Sequence, residues 1–283
     1  MAGRYGNVDG SRPIAQIEPI PKRKEGQNMN LSIASYSFHG LLEEGKMDVF
    51  GYLESLKYRY GVHAADLWSG MLASLDEAYL KKVREAMEEK DMILVNLAVD
   101  FADAWHSEPD IRERYYKNAL AHLRAAEILG AKSVRIDLGS REFVMDDTQF
   151  EVVVKRFKEY AEIGNDRGFK VGTENHFGPA RVPENIINVA NAVNHPNFGL
   201  LLHFGSWAVD AENGDKQVAK LVMHTHVDKE TTESRLDECI QIMKDIDYKG
   251  HWGVEHHSGR HEYAEVAWQL ATVRRGLTYA DFR

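Results

Sequence analysis

An α/β fold, a single (β/α)8 barrel with an irregular N-terminal arm, is predicted by three features of the sequence. Eight short apolar runs alternate with longer amphipathic runs from Met29 onward. The chain has 283 residues, which suits one such barrel of about 250 residues. No G-x-G-x-x-G or Walker-type glycine loop follows the first strand, as an open doubly wound sheet would usually show. The Gly- and Pro-rich residues 1–28 form the predicted arm, and residues 29–283 the barrel.

The first strand is placed at 30–37. A helix over 47–60 follows, with Val49, Leu53, Leu56 and Tyr60 at spacings of three and four. The second strand is 62–68. Ser74-Leu75-Asp76-Glu77 then reads as a capping box, in which serine and glutamate satisfy each other's backbone donors. It opens a helix whose inner face holds Leu80, Val83 and Met87. After strand 92–98, a helix runs from Pro109 to Gly130 with Ile111, Tyr115, Leu120, Leu123, Ala126 and Leu129 on one side. Strand 132–138 leads to a helix over 147–167 carrying Phe150, Val154, Phe157 and Ala161. Strands 169–175, 198–203, 221–227 and 250–255 alternate with helices over 183–194, 208–220, 235–247 and 261–276. Strand–helix–strand units connect right-handedly in nearly all known cases, and eight of them close into a barrel.

Composition narrows the partners. The net charge is −9, so the chain lacks the positive field that nonspecific nucleic-acid or membrane-surface binding needs. The short run Lys22-Arg23-Lys24 reads as a solvated face. No apolar stretch reaches the roughly 20 residues of a membrane span, and no secretory signal is visible. A cytoplasmic location is expected. The single cysteine, Cys239, excludes an intrachain disulfide and reads as a buried thiol.

Four apolar runs end on a possible metal ligand: Val171-Gly172-Thr173-Glu174, Leu200-Leu201-Leu202-His203, Val222-Met223-His224-Thr225-His226 and Trp252-Gly253-Val254-Glu255. Parallel barrels put their active sites at the C-terminal ends of the strands. A lone strand-end histidine is more often a satisfied polar residue than a ligand, and for His203 alone the two readings balance. Four such ends on four successive strands tip the balance toward a site. Because residues i and i+2 share a face, Glu174 points with Gly172 and His176, and His226 with His224. Gly172 and Gly253 would leave space below the two glutamates. His224 lies one layer deeper, in the core or behind the ligands. Two carboxylates and two imidazoles suit Mn, Zn, Fe or Co better than Ca or Mg.

The phrases around these ends, Val171-Gly172-Thr173-Glu174-Asn175-His176, Phe198-Gly199-Leu200-Leu201-Leu202-His203-Phe204-Gly205-Ser206-Trp207, His224-Thr225-His226-Val227-Asp228-Lys229 and Gly253-Val254-Glu255, resemble the sugar phosphate isomerase/epimerase family. This belongs to the xylose-isomerase-like TIM barrel superfamily, with ketose 3-epimerases, hydroxypyruvate isomerase, inosose dehydratase and endonuclease IV. Ser35-Tyr36-Ser37-Phe38 also looks like the family's first strand end. The likeness covers residues 29–277 in layout, and its specific motifs lie in the second half.

The resemblance implies metal ligation by Glu174, His226 and Glu255. It departs at the sixth strand, where the family carries an aspartate and this chain has His203, with Ser206 in place of an asparagine. The ligands would then carry −2 rather than −3, which favours a borderline metal over magnesium. A divalent ion is expected, manganese first, with zinc, cobalt, iron or magnesium as alternatives. It would polarise a substrate carbonyl while Glu174 and Glu255 remove and return the adjacent proton.

Substrate contacts are expected from His176, His256 and His257, from Lys229, which reads equally as a solvated lysine or as the partner of a substrate oxyanion or phosphate, and from Trp68, Trp105 and Trp207 at the rims of strands two, three and six. Arg135 and Asp137 share a strand face and form either an internal ion pair or a substrate contact. The implied activity is isomerisation or epimerisation of a sugar or keto-sugar. The absence of a phosphate loop favours a free sugar over a phosphate ester. A lyase or dehydratase on the same scaffold is the alternative. A non-catalytic paralogue and an endonuclease IV-like phosphodiesterase rank lower, the latter because of the acidic charge and only four ligands. A homodimer or tetramer also follows from the resemblance.

Overall fold

The computed structural model describes residues 30–280, so the expected arm at 1–28 lies outside the described residues. Eight strands are present: β1 (Leu31–Ala34), β2 (Ala64–Trp68), β3 (Ile93–Val99), β4 (Ser133–Ile136), β5 (Lys170–Glu174), β6 (Phe198–His203), β7 (Val222–Val227) and β8 (Trp252–Val254). They pair in sequence order as a closed parallel barrel. Leu31 opposite Trp252 and Ile33 opposite Val254 close the ring between β1 and β8. The helices are α1 (His39–Glu43), α2 (Val49–Glu54), α3 (Glu77–Glu88), α4 (Pro109–Leu129), α5 (Asp147–Arg167), α6 (Pro183–Val193), α7 (Gly214–Val218), α8 (Lys229–Ser234), α9 (Leu236–Asp245) and α10 (Glu262–Ala280).

Strand alternation divides the molecule into two interiors. Ile33, Leu67, Val134, Ile136, Leu200, Leu202 and Val254 are fully buried and pack with helix residues such as Leu53, Leu80, Leu123, Phe157 and Val266 in the apolar core. The opposite faces of the strands carry buried polar groups instead: Ser32, Asp66, Asn96, Ser133, Arg135, His224 and His226. Burying so many polar groups is tolerable only where they bond one another. Most do so: Asn96 Nδ2 donates to Asp66 Oδ1 at 2.9 Å, and Ser133 Oγ donates to Asn96 Oδ1 at 3.0 Å, while the Ser32 hydroxyl has no partner among the described residues.

Several local expectations change. The first strand ends at Ala34, because Ser35–Phe38 turns into a 3-10 segment. The capping box is absent: α3 starts at Glu77, and the Ser74 hydroxyl accepts from Asp76 N at 3.0 Å instead. In the segment predicted as a helix over 208–220, only Gly214–Val218 is α-helical. α8 was not foreseen; Asp228 caps it, accepting from Thr231 N at 2.8 Å. The two strand glycines both face a backbone carbonyl of the adjacent strand. A Cβ on Gly172 would lie 1.8 Å from the Gly199 carbonyl oxygen, so this glycine allows β5 and β6 to approach. A Cβ on Gly253 would lie 2.6 Å from the Thr225 carbonyl oxygen and 3.0 Å from Asp66 Oδ2 and His224 Nε2, so this one lets β8 approach β7 and also leaves room for the polar interior. Cys239 is fully buried, and burial pushes its thiol up to about 12. Among the described residues, no helix is long and apolar enough to cross a membrane.

Candidate metal centre

Glu174 ends β5 and His203 ends β6; His226 is the penultimate residue of β7, and Glu255 directly follows β8. One ligand atom from each of the four lies within 4.8 Å of the other three. His203 Nδ1 is 3.4 Å from Glu174 Oε1 and 3.5 Å from Glu255 Oε2. His226 Nδ1 is 3.1 Å from Glu255 Oε2 and 3.8 Å from Glu174 Oε1.

Each group is held from behind. His226 Nε2 and His224 Nε2 both reach Asp66 Oδ2, at 3.0 and 2.6 Å. A shared acceptor assigns the proton to both Nε2 atoms and leaves the His226 Nδ1 lone pair facing the cluster. His203 Nε2 is 3.6 Å from Asp228 Oδ2. Arg135 Nε lies 3.0 Å from Glu174 Oε2, and its Nη1 donates to Asp137 Oδ2 at 2.7 Å. Asn175 joins the ends of β5 and β6: its Nδ2 donates to His203 O at 2.7 Å and its Oδ1 accepts from His203 N at 2.8 Å.

Electrostatics follow from this geometry. Burial alone would raise the Glu174 carboxyl, but the Arg135 guanidinium and the His203 contact hold it at about 2. Glu255 is likewise held well below the ordinary carboxylate range, burial being outweighed by His226 and His257. Burial would lower His203, yet Asp228, Glu174 and Glu255 push it up to about 10. His226 rises for the same reason, through Glu255 and Asp66. Two carboxylates thus face two imidazoles that gather protons, and a bound cation would take the place of those protons.

The donor set fits a divalent ion. His226 Nδ1 is buried with no hydrogen-bond partner, which is costly unless something is bound there. Two carboxylate oxygens and two imidazole nitrogens are a borderline donor set, suited to manganese, zinc or iron.

Above the four residues opens a cavity of about 610 Å³. Glu174, His203, His226, Glu255, Arg135, His176 and Trp68 all line it. The other expected contacts do not. Asp137 is buried behind Arg135. Trp105 bridges to Gly139 under the Arg112 guanidinium, 4.4 Å from its ring centre. Trp207 is a core residue whose Nε1 donates to Asp215 Oδ1 at 2.7 Å. Lys229 points outward to Glu265, 3.5 Å away. His256 is buried, with Nε2 2.9 Å from Ser258 Oγ. Its neighbour His257, the other histidine expected at this rim, does line the cavity, 3.0 Å from Glu255 Oε2.

Sequence reasoning missed Asp66, Asp100, Arg181 and Asp228 as cavity residues. Asp66 had a usable signal: a lone carboxylate inside the apolar run Ala64-Ala65-Asp66-Leu67-Trp68.

Solved structures share this architecture. The 3-keto-D-glucoside 4-epimerase YcjR from E. coli superposes with a TM-score of 0.71 at 12% identity, over 88% of this chain and 100% of that one. D-psicose 3-epimerase from Clostridium cellulolyticum H10 gives 0.70 at 13% identity, over 90% of this chain and 99% of that one. The "probable 3-DHS dehydratase AsbF" from Bacillus anthracis gives 0.68 at 15% identity, over 87% and 99%. At these identities the likeness is one of fold. No curated protein matches the chain. The family described as xylose isomerase-like TIM barrel matches residues 57–276, and the chain belongs to that family.

Proposed function

We propose that the protein is a divalent-metal-dependent isomerase or epimerase of a sugar or keto-sugar. The observation that carries this is the pair of ionised carboxylates, Glu174 and Glu255, brought to one ligand cluster by strands that are not neighbours. Glu174, His203, His226 and Glu255 would hold the ion, which when bound supplies Lewis acidity toward a carbonyl oxygen. The chain's own groups handle the proton. One glutamate removes the proton next to the carbonyl, and the other returns it from its own side. Arg135 keeps Glu174 ionised and fixes its direction. Trp68 and Tyr36, edge to face at 5.2 Å, give the cavity an apolar wall for the sugar carbons.

The test is solvent-deuterium exchange into a panel of ketohexoses by the Mn²⁺-loaded protein. Exchange without elimination is expected, and Glu174→Gln or Glu255→Gln should each slow it about 100-fold or more. Wild-type protein that binds Mn²⁺ but exchanges nothing would defeat the reading.

A second reading, β-elimination from a keto-sugar, inositol derivative or oxidised glycoside, is favoured by two observations. His203 puts a second imidazole into the ligand cluster, and His176 lines the cavity with about half of its side chain exposed, as a further proton donor. Release of water or an aglycone in the same assay selects that reading.

A further inference from the structure

Three arginines line the cavity: Arg135, Arg181 and Arg235. Two are matched by carboxylates. Arg135 contacts Asp137, Glu174 and Asp100. Arg235 contacts Asp215 at 3.1 Å and Glu238 at 3.2 Å. Arg181 forms no ion pair among the described residues, although Asp228, which faces His203, and Glu230 line the same cavity.

Arg181 ends the 3-10 turn Gly178–Arg181 that follows β5. Its Nε donates to Ser206 O and its Nη2 to Trp207 O, both at 3.4 Å. These bonds occupy one side of the guanidinium. They leave Nη1 and the second Nη2 proton as an unused end-on fork. The backbone holding Arg181 is also tied to the ligand cluster, because Asn175 Nδ2 donates to both His203 O and Ser206 O. The Ser206 hydroxyl donates to no described residue and lines the cavity beside it.

We propose that this wall is a carboxylate subsite, so that the substrate is a sugar or polyol acid rather than a neutral sugar. The carboxylate sits on the Arg181 fork with Ser206 Oγ beside it. A planar fork with one unmatched positive charge suits a carboxylate, which accepts two parallel bonds. A phosphate dianion would call for a second free cation, and Arg235 is already neutralised. The oxyanion role expected of Lys229 falls instead to Arg181. This inference rests on reading the cavity as a carbohydrate site.

Calorimetric titration with gluconate and sorbitol, on Mn²⁺-loaded and metal-free protein, tests it. Wild type should bind gluconate about tenfold more tightly than sorbitol in both forms. Arg181→Gln should erase that preference and leave sorbitol binding unchanged, while Arg181→Lys keeps part of it. Should Arg181→Gln fail to fold, Arg181→Lys carries the comparison, with a several-fold weaker preference. No preference in wild type, or an undiminished one in the variants, overturns the subsite. Failure to take up Mn²⁺ with the preference intact would sink the metal-dependent reading and leave the subsite standing.

Discussion

Asp66 is the residue on which the ligand geometry turns. Its Oδ2 receives two imidazoles, its Oδ1 receives Asn96, and it is 1% exposed. Burial would raise this carboxyl, but His224 and His226 hold it far below its ordinary value. It fixes the ring of His226 and turns Nδ1 toward the other three donors, where the proposed ion would bind. Partners of this kind typically contribute 10–100-fold to metal affinity. Asp66→Asn should therefore weaken Mn²⁺ binding about 10–100-fold, measured by paramagnetic titration of the folded variant. A change of less than twofold would show that Asp66 does not orient the ligand. His203 is the complementary position: from the sequence it could be a ligand or a bystander, and the structure places its Nδ1 among the other three donors.

At the level of elements, helix starts separate composition from geometry. Asp146 precedes α5 and accepts from Gln149 N at 2.8 Å. Asp76 precedes α3 with no such bond. Both are acidic residues in the same formal position. Asp146→Ala should cost about 1 kcal/mol, and Asp76→Ala should stay within about 0.5 kcal/mol, both read from urea unfolding. Equal costs would mean that helix-dipole attraction, rather than the cap bond, stabilises these ends. Strand–helix alternation was legible because apolar period and burial agree along α3, where Leu80, Val83 and Met87 are the buried residues, whereas in α5 burial falls on Val153, Phe157 and Tyr160 and leaves Phe150 and Val154 only partly covered. α8 was not, because Lys229–Ser234 shows no apolar stripe and is held by the Asp228 cap.

For the whole molecule, the buried imidazoles tie stability to pH. His251 precedes β8, and burial together with nearby His224 holds it down at about 4. Its ordinary value in the unfolded chain is near 6.5. Between those values the unfolded state binds more protons than the folded state, so stability rises with pH there. His251 therefore contributes fully above about 6.5 and loses its contribution as pH falls toward 4. Melting curves of wild type and His251→Asn should converge between pH 7 and pH 4.5, with wild type falling faster. Parallel curves would remove His251 from the acid response.

Barrel class, strand order and the four strand ends that converge could be read from linear pattern, because parallel strands are buried on both faces and strand ends are sharp in composition. The rim was read less well. Trp105, Trp207, Lys229 and His256 all follow strands, yet none lines the cavity, because loop paths and not spacing set where a rim side chain points. Asp66 stood out as a carboxylate in an apolar run, but its partner could not be read for a related reason. Asp66 reaches His226 from 160 positions away, around a closed ring of strands. Barrel closure alone makes β2 and β7 share an interior, so the group that fixes a ligand's tautomer comes from a strand whose own sequence carries no ligand.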